Sequence, residues 1–130
     1  MTPNTTRVLV IDDHQLTRSL LRSLLREAGY TTQRECGEAL SGIKLANHFR
    51  PHLICLDVQM PKMTGIDAIA ALRAAAPDAA IVMVTGSADR DTVVSCIDAG
   101  ANGYIIKPFN GETVLRAVEA ALSKASPAAA

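Results

Sequence analysis

Five polar side chains in this 130-residue sequence close runs of apolar residues, and together they could carry one chemistry. Asp12 and Asp13 follow Val8-Leu9-Val10-Ile11, and Asp57 follows Leu53-Ile54-Cys55-Leu56. Thr85 follows Ile81-Val82-Met83-Val84, and Lys107 follows Ile105-Ile106. Brought together, three carboxylates and one ammonium leave two negative charges uncompensated. At an effective dielectric constant of about 20, unit charges about 4 Å apart interact by about 4 kcal/mol, so such a cluster calls for a divalent cation. Hard oxygen ligands, with no Cys or His at the strand ends, favour Mg²⁺ or Mn²⁺ over zinc. His14, directly after the acidic pair, is expected to point to solvent, since no second histidine is placed to join it as a ligand. Beside a cation, Asp57 is an anionic nucleophile able to accept a phosphoryl group. Lys107 would offset charge on the phosphoryl oxygens and the Thr85 hydroxyl would donate to one of them. No separate general base is needed.

The elements that must position these groups are legible from periodicity. Strands are expected at Arg7–Ile11, Thr31–Cys36, Leu53–Leu56, Ile81–Val84 and Gly103–Ile106. Four of them are apolar on consecutive residues, as in strands covered on both faces, while the more polar second belongs at a sheet edge. Between them, His14–Ala28 reads as a helix with Leu16, Leu20, Leu21, Leu24 and Leu25 on one half of the wheel and Arg18, Arg22 and Arg26 opposite, stopped by Gly29. Glu38–Phe49 places Leu40, Ile43 and Leu45 or Ala46 inward before Pro51. Ile66, Ile69 and Leu72 mark a third helix, and Val93, Val94 and Ile97 a fourth ending at Gly100. Asn110 caps a fifth that carries Val114, Leu115, Val118 and Leu122. This βα alternation predicts an α/β fold, a single doubly wound five-stranded parallel sheet with five helices. In such sheets ligands bind beyond the carboxyl ends of the strands, where the five polar groups stand.

Composition narrows the function. Lys and Arg number 13 and Asp and Glu 13, which gives no electrostatic footprint for nucleic acid. Aromatic residues are 3% with no Trp, leaving no stacking platform for bases. The longest apolar run, Ala79–Val84, falls far short of the roughly 20 residues of a membrane span, and no signal-like segment opens the sequence. Cys36, Cys55 and Cys96 match no zinc pattern and read as buried free thiols of a reducing, cytoplasmic setting.

Four blocks carry a resemblance: Val8-Leu9-Val10-Ile11-Asp12-Asp13; Leu56-Asp57-Val58-Gln59-Met60-Pro61 with Gly65; Val84-Thr85-Gly86; and Gly103-Tyr104-Ile105-Ile106-Lys107-Pro108-Phe109. In this order they resemble the receiver domain of response regulators, of the stand-alone chemotaxis type. The resemblance implies a flavodoxin-like sheet of order 2-1-3-4-5, with a receiver at 7–123 and flexible tails at 1–6 and 124–130. It implies Asp57 as phosphoacceptor, Mg²⁺ held by Asp12, Asp13, Asp57 and the Gln59 backbone carbonyl, and a cis peptide before Pro108. It also implies a switch in which Thr85 moves toward the phosphoryl group and Tyr104 turns inward. Gln59 and Ser87 would adjust how water reaches the phosphoryl group.

Expected partners are a sensor histidine kinase or a histidine phosphotransfer protein, and a downstream target at the face of the fourth helix, fifth strand and fifth helix. Homodimerisation stays open. The arginine stripe is read as a solvated face or as a donor-docking surface. Such a switch is no conventional enzyme, though it promotes its own phosphorylation and dephosphorylation. Against it stands a small Mg²⁺-dependent aspartyl-phosphate phosphatase or phosphotransferase of the haloacid-dehalogenase type, which usually carries a second acid where Gln59 stands. Dinucleotide binding is disfavoured, because no GxGxxG follows the first strand.

Overall fold

Each apolar run folds as a strand and each periodic segment as a helix. The structure, a computed structural model, describes residues 2–60, 62–86 and 89–125. Pro61, Ser87 and residues 126–130, on which part of the expectations fall, lie outside the described residues. After a 3-10 turn at Pro3–Thr5 come β1 (Arg7–Ile11), α1 (Gln15–Glu27), β2 (Thr32–Cys36), α2 (Ala39–Phe49) and β3 (Leu53–Asp57). They are followed by α3 (Gly65–Ala75), β4 (Ala80–Thr85), α4 (Arg90–Ala99), β5 (Gly103–Ile106) and α5 (Gly111–Ala125). The strands form one parallel sheet of order β2-β1-β3-β4-β5. The order reverses between β1 and β3, so a crevice opens beyond their carboxyl ends.

Two apolar layers sandwich the sheet. One joins Leu9, Ile11, Ile54, Leu56, Ile81 and Met83 to α2, α3 and α4. The other joins Val8, Val10, Cys55, Val82 and Val84 to α1 and α5. Alternate residues of each central strand feed opposite layers, which is why β1, β3 and β4 are apolar on consecutive positions. Burying these strands on both faces fixes where their last residues emerge. The helix stops act as expected: Gly29 adopts φ 100° after α1, and the Asn110 side chain accepts the Thr113 N–H at 2.8 Å.

Several expectations about faces are corrected. Leu16 is 86% exposed and Leu20 49%, so α1 turns Leu21 and Leu25 inward and leaves the N-terminal part of its leucine arc in solvent. In α2 the inward face is Ala39, Gly42 and Ala46, with Leu40 exposed. The reason is close approach, since a Cβ on Gly42 would lie 2.3 Å from Ile11 Cδ1. Ile66, Val94 and Ile97 are likewise exposed, while Ala68 and Cys96 take core places. The fifth strand, read as covered on both faces, lies at a sheet edge with only Ile105 buried. Cys55 and Cys96 are buried free thiols as expected, whereas Cys36 is half-buried. Complete burial in an apolar layer pushes the Cys55 thiol up to about 12.

Candidate functional site

The register of the central strands carries the site. Ile11 pairs with Leu56, so the residues just beyond it, Asp12 and Asp13, emerge beside Asp57. Asp57 is opposite Val84, which puts Thr85 one step further along the same rim. Lys107 is bound to that rim by its N–H, which donates to the Thr85 carbonyl at 2.7 Å. The Lys107–Pro108 peptide is cis.

Asp12, Asp57 and Thr85 are each 1% exposed, an unusual depth for such groups. Asp12 Oδ1 accepts the His14 N–H at 2.8 Å and Asp57 Oδ1 accepts the Gln59 N–H at 3.0 Å. The other oxygen of each carboxylate, Asp12 Oδ2 and Asp57 Oδ2, is buried with no hydrogen-bond partner. Lys107 Nζ stands 3.8 Å from the first and 3.5 Å from the second, offering charge but no hydrogen bond. Burial pushes the Asp12 carboxyl above the usual carboxylate range and the Asp57 charge adds to this, while the His14 N–H and Lys107 oppose it. Two buried, unpartnered carboxylate oxygens beside an ammonium and the exposed Asp13 fit a hard divalent cation.

His14 is exposed, as expected, and its ring borders the acidic pair. Its side chain is 65% exposed, yet Nδ1 turns back to 3.1 Å from Asp13 Oδ1, 3.5 Å from Asp12 Oδ1 and 3.9 Å from Asp57 Oδ2. The arginine stripe is also not a free face. Arg18 Nη1 donates to the Asp12 carbonyl at 2.6 Å and Nε to Glu35 at 2.7 Å. Arg22 pairs with Glu35 and donates to Gln33 at 3.0 Å, while Arg26 is exposed. Arg18 therefore ties α1 and β2 to the backbone of the acidic pair, a role the sequence signalled only through its place one turn after His14.

The loop after β3 is shaped by Gly65, where a Cβ would come within 2.6 Å of Val58 Cβ. That contact holds α3 against the residue following Asp57. Gln59 exposes its side chain toward Gly86, with Oε1 3.5 Å from where a Cβ on that glycine would sit. A cavity of about 450 Å³ between this loop and α4 is lined by Gln59, Gly65, Ile66, Thr85, Asp89 and Thr92 among others. Tyr104, one strand over, is 47% exposed.

The acidic pair has a stability consequence. A carboxyl whose folded-state pKa is raised contributes stability that is complete below its unfolded value, near 3.8, and is lost as pH rises through the folded value. At neutral pH without metal, ionised Asp12 therefore weakens the fold. Asp12→Asn is expected to raise the melting temperature in EDTA at pH 7 by roughly 3–8 °C, about 1–2 kcal/mol, and to have little effect near pH 3. Thermal melts of both proteins across that range check it, and equal melting temperatures at pH 7 would contradict it.

Comparison with known proteins agrees with the geometry. Residues 8–119 match the family described as response regulator receiver domain. The transcriptional regulatory protein PdtaR of Mycobacterium tuberculosis is 39% identical over 118 residues, 91% of this chain and 57% of that protein. The chain thus spans a little over half the length of that relative. The chemotaxis protein CheY of Listeria monocytogenes is 30% identical over 115 residues, 88% of this chain and 97% of that protein. A crystal structure of a response regulator from Burkholderia pseudomallei, with a phosphorylated aspartic acid, calcium ion and citrate, superposes with TM-score 0.81. It is 32% identical and covers 92% of this chain and 69% of that one. Receiver domains are signalling switches that work with histidine kinases and downstream effectors. No helix among the described residues is long and apolar enough to cross a membrane. With its sheet order, its acidic pocket at the switch point and its sequence all in agreement, the chain belongs to the response-regulator receiver-domain family of two-component signalling.

Proposed function

We propose that the unit at residues 7–123 accepts a phosphoryl group on Asp57 from a phosphohistidine donor, a sensor histidine kinase or a histidine phosphotransfer protein. The carrying observation is the pair of buried, unpartnered oxygens, Asp12 Oδ2 and Asp57 Oδ2, beside Lys107 Nζ. An Asp57 oxygen attacks phosphorus, the P–N bond to the donor imidazole breaks, and the imidazole keeps the electron pair and takes up a proton. Asp12, Asp13, Asp57 and the Gln59 carbonyl would hold Mg²⁺, which when bound supplies positive charge to the phosphoryl oxygens. Lys107 stays within reach of Asp57 Oδ2 and adds a second positive charge. The Burkholderia relative, with its phosphorylated aspartic acid and calcium ion, supports this reading. Loss of the phosphoryl group by hydrolysis resets the switch, with Gln59 and Ser87 setting access of water.

Phosphorylation replaces one negative charge by about two on the modified side chain. Thr85 responds by moving toward the new oxygens, and Tyr104 leaves solvent for the space released. The exposed Val94, Ile97 and Tyr104 on α4 and β5 support a target-binding face there, completed by α5. The target shifts the equilibrium by as much as it prefers one Tyr104 position over the other. A cytoplasmic setting fits the two buried thiols.

Incubation with MgCl₂ and a small acyl phosphate tests the reading. Mass spectrometry is expected to find one added HPO₃ on Asp57, absent from Asp57→Asn and from samples in EDTA. An adduct on another residue, or uptake indifferent to EDTA, overturns it.

A further inference from the structure

We infer that Arg18 is a positioning residue for the cation site. By joining Glu35 on β2 to the backbone of Asp12, it sets the place from which the Asp12 and Asp13 carboxylates reach the ion. The inference rests on the acidic pocket being the Mg²⁺ site of the phosphoacceptor reading. It adds to that reading a residue that meets neither the ion nor the phosphoryl group.

Arg18 lies in the first turn of α1, where its own N–H donates to the His14 carbonyl at 3.0 Å. Its guanidinium serves two partners at once: Nη1 donates to the Asp12 carbonyl at 2.6 Å and Nε to Glu35 Oε1 at 2.7 Å. Glu35 is steadied in turn by Arg22, which pairs with its other oxygen, Oε2. The Asp12 N–H donates to the carbonyl of Cys36, the neighbour of Glu35 in β2, at 3.1 Å. Asp12 is thus held at its N–H by β2, at its carbonyl by Arg18 and at Oδ1 by the His14 N–H at 2.8 Å. These three bonds set the direction of Asp12 Oδ2, the buried oxygen without a hydrogen-bond partner. The Asp12 carbonyl also lies in the planar peptide that leads into Asp13, so the bond from Arg18 orients both members of the acidic pair.

A cation in this place could act on Mg²⁺ in two ways, with opposite signs. As a bare charge it would repel the ion, and its loss would tighten binding. Glu35, at 2.7 Å from Nε, offsets that charge, so the pair exerts little net field on the site. What remains is the planar fork, whose fixed donors hold two acceptors in one geometry. Without the fork, the Asp12–Asp13 peptide loses a fixed partner, and the ion must order both carboxylates itself at a cost in affinity.

The test is calorimetric Mg²⁺ titration of the full chain, of Arg18→Ala, of Arg18→Lys, and of a double variant carrying Arg18→Ala and Glu35→Ala, whose net charge equals the parent's. Expected is roughly tenfold weaker Mg²⁺ binding in Arg18→Ala and in the double variant. Arg18→Lys, which keeps the charge and decides the matter should Arg18→Ala not fold, is expected to show an intermediate loss, since one ammonium cannot span both partners. With a small acyl phosphate, the variants should need more Mg²⁺ for half-maximal uptake, while the rate at saturating Mg²⁺ stays within about twofold of the parent's. Tighter binding in Arg18→Ala with parental affinity in the double variant would reduce Arg18 to a charge. Parental affinity in every variant would reduce it to a strut of the fold. Either result overturns the inference and leaves the Mg²⁺ site standing, whereas a parent protein that binds no Mg²⁺ overturns the site and the inference together.

Discussion

Lys107→Ala is expected to slow phosphoryl uptake by Asp57 by about 10²–10³-fold, on the scale seen when one preorganised charge-stabilising donor is removed. The same substitution should bind Mg²⁺ more tightly, by roughly three- to tenfold, because a cation that repels the ion has gone. These opposite signs come from the position of one ammonium, 3.5 Å from Asp57 Oδ2 and 3.8 Å from Asp12 Oδ2. Without metal it offsets two buried carboxylates; during transfer it meets charge on the phosphoryl oxygens. In EDTA the variant should also melt lower than the parent, since Asp12 and Asp57 then share no nearby ammonium. A residue that merely shaped the loop would weaken metal binding and transfer together. Single-turnover uptake of a small acyl phosphate at saturating Mg²⁺, beside Mg²⁺ titration, separates the two. Weaker Mg²⁺ binding in Lys107→Ala would remove the electrostatic account.

The acidic pair, Asp57, Thr85 and Lys107 were legible because each interrupts an apolar run at the place where a strand must leave the sheet. Parallel pairing then does the rest, bringing Asp12 beside Asp57 through the register of Ile11 with Leu56. Helix faces were less legible for a physical reason. A wide apolar arc, such as the five leucines of α1, does not say which part meets the sheet, and α1 chose Leu21 and Leu25. In α2 the choice was steric, since Gly42 rests against Ile11 and the small side chains go inward. Tyr104-Ile105-Ile106 has the composition of a doubly covered strand, but only sheet order decides that it forms an edge. The orientation of His14 depends on a hydrogen bond of its own backbone to Asp12, which no periodicity records. Arg18 was visible as one of three arginines in a row, yet its bond to the Asp12 carbonyl needs β2 to bring Glu35 alongside.

Arg73 lay wholly outside the sequence reading, and its replacement by Ala is expected to cost the fold about 2–4 kcal/mol, lowering the melting temperature by roughly 6–15 °C. In a helix of alanines it looks like an ordinary surface arginine. Folded, its Nη1 donates to the carbonyls of Pro77 at 3.1 Å and Ala79 at 2.6 Å, and Nη2 to Gly100 at 2.6 Å and Asn102 Oδ1 at 2.7 Å. Asn102 Oδ1 also accepts the Ile81 N–H at 2.8 Å, so one guanidinium joins the end of α3, the start of β4, the end of α4 and the approach to β5. Pro77 and Ala79 lie just past α3 and Gly100 just past α4, so a cation there also meets the negative ends of the helix dipoles. Gly100, at φ 126°, lets the chain pass the Arg73 stem, where a Cβ would come within 3.2 Å of Nε. A lysine cannot serve these four acceptors with one ammonium, so Arg73→Lys should recover less than half of the loss. Because this cluster lies at the opposite end of β4 and β5 from Thr85 and Lys107, Mg²⁺ affinity of the folded Arg73→Ala protein should match the parent. Urea unfolding measures the first effect and calorimetry the second. A stability change under about 0.5 kcal/mol would make Arg73 the solvated surface residue its sequence context suggests.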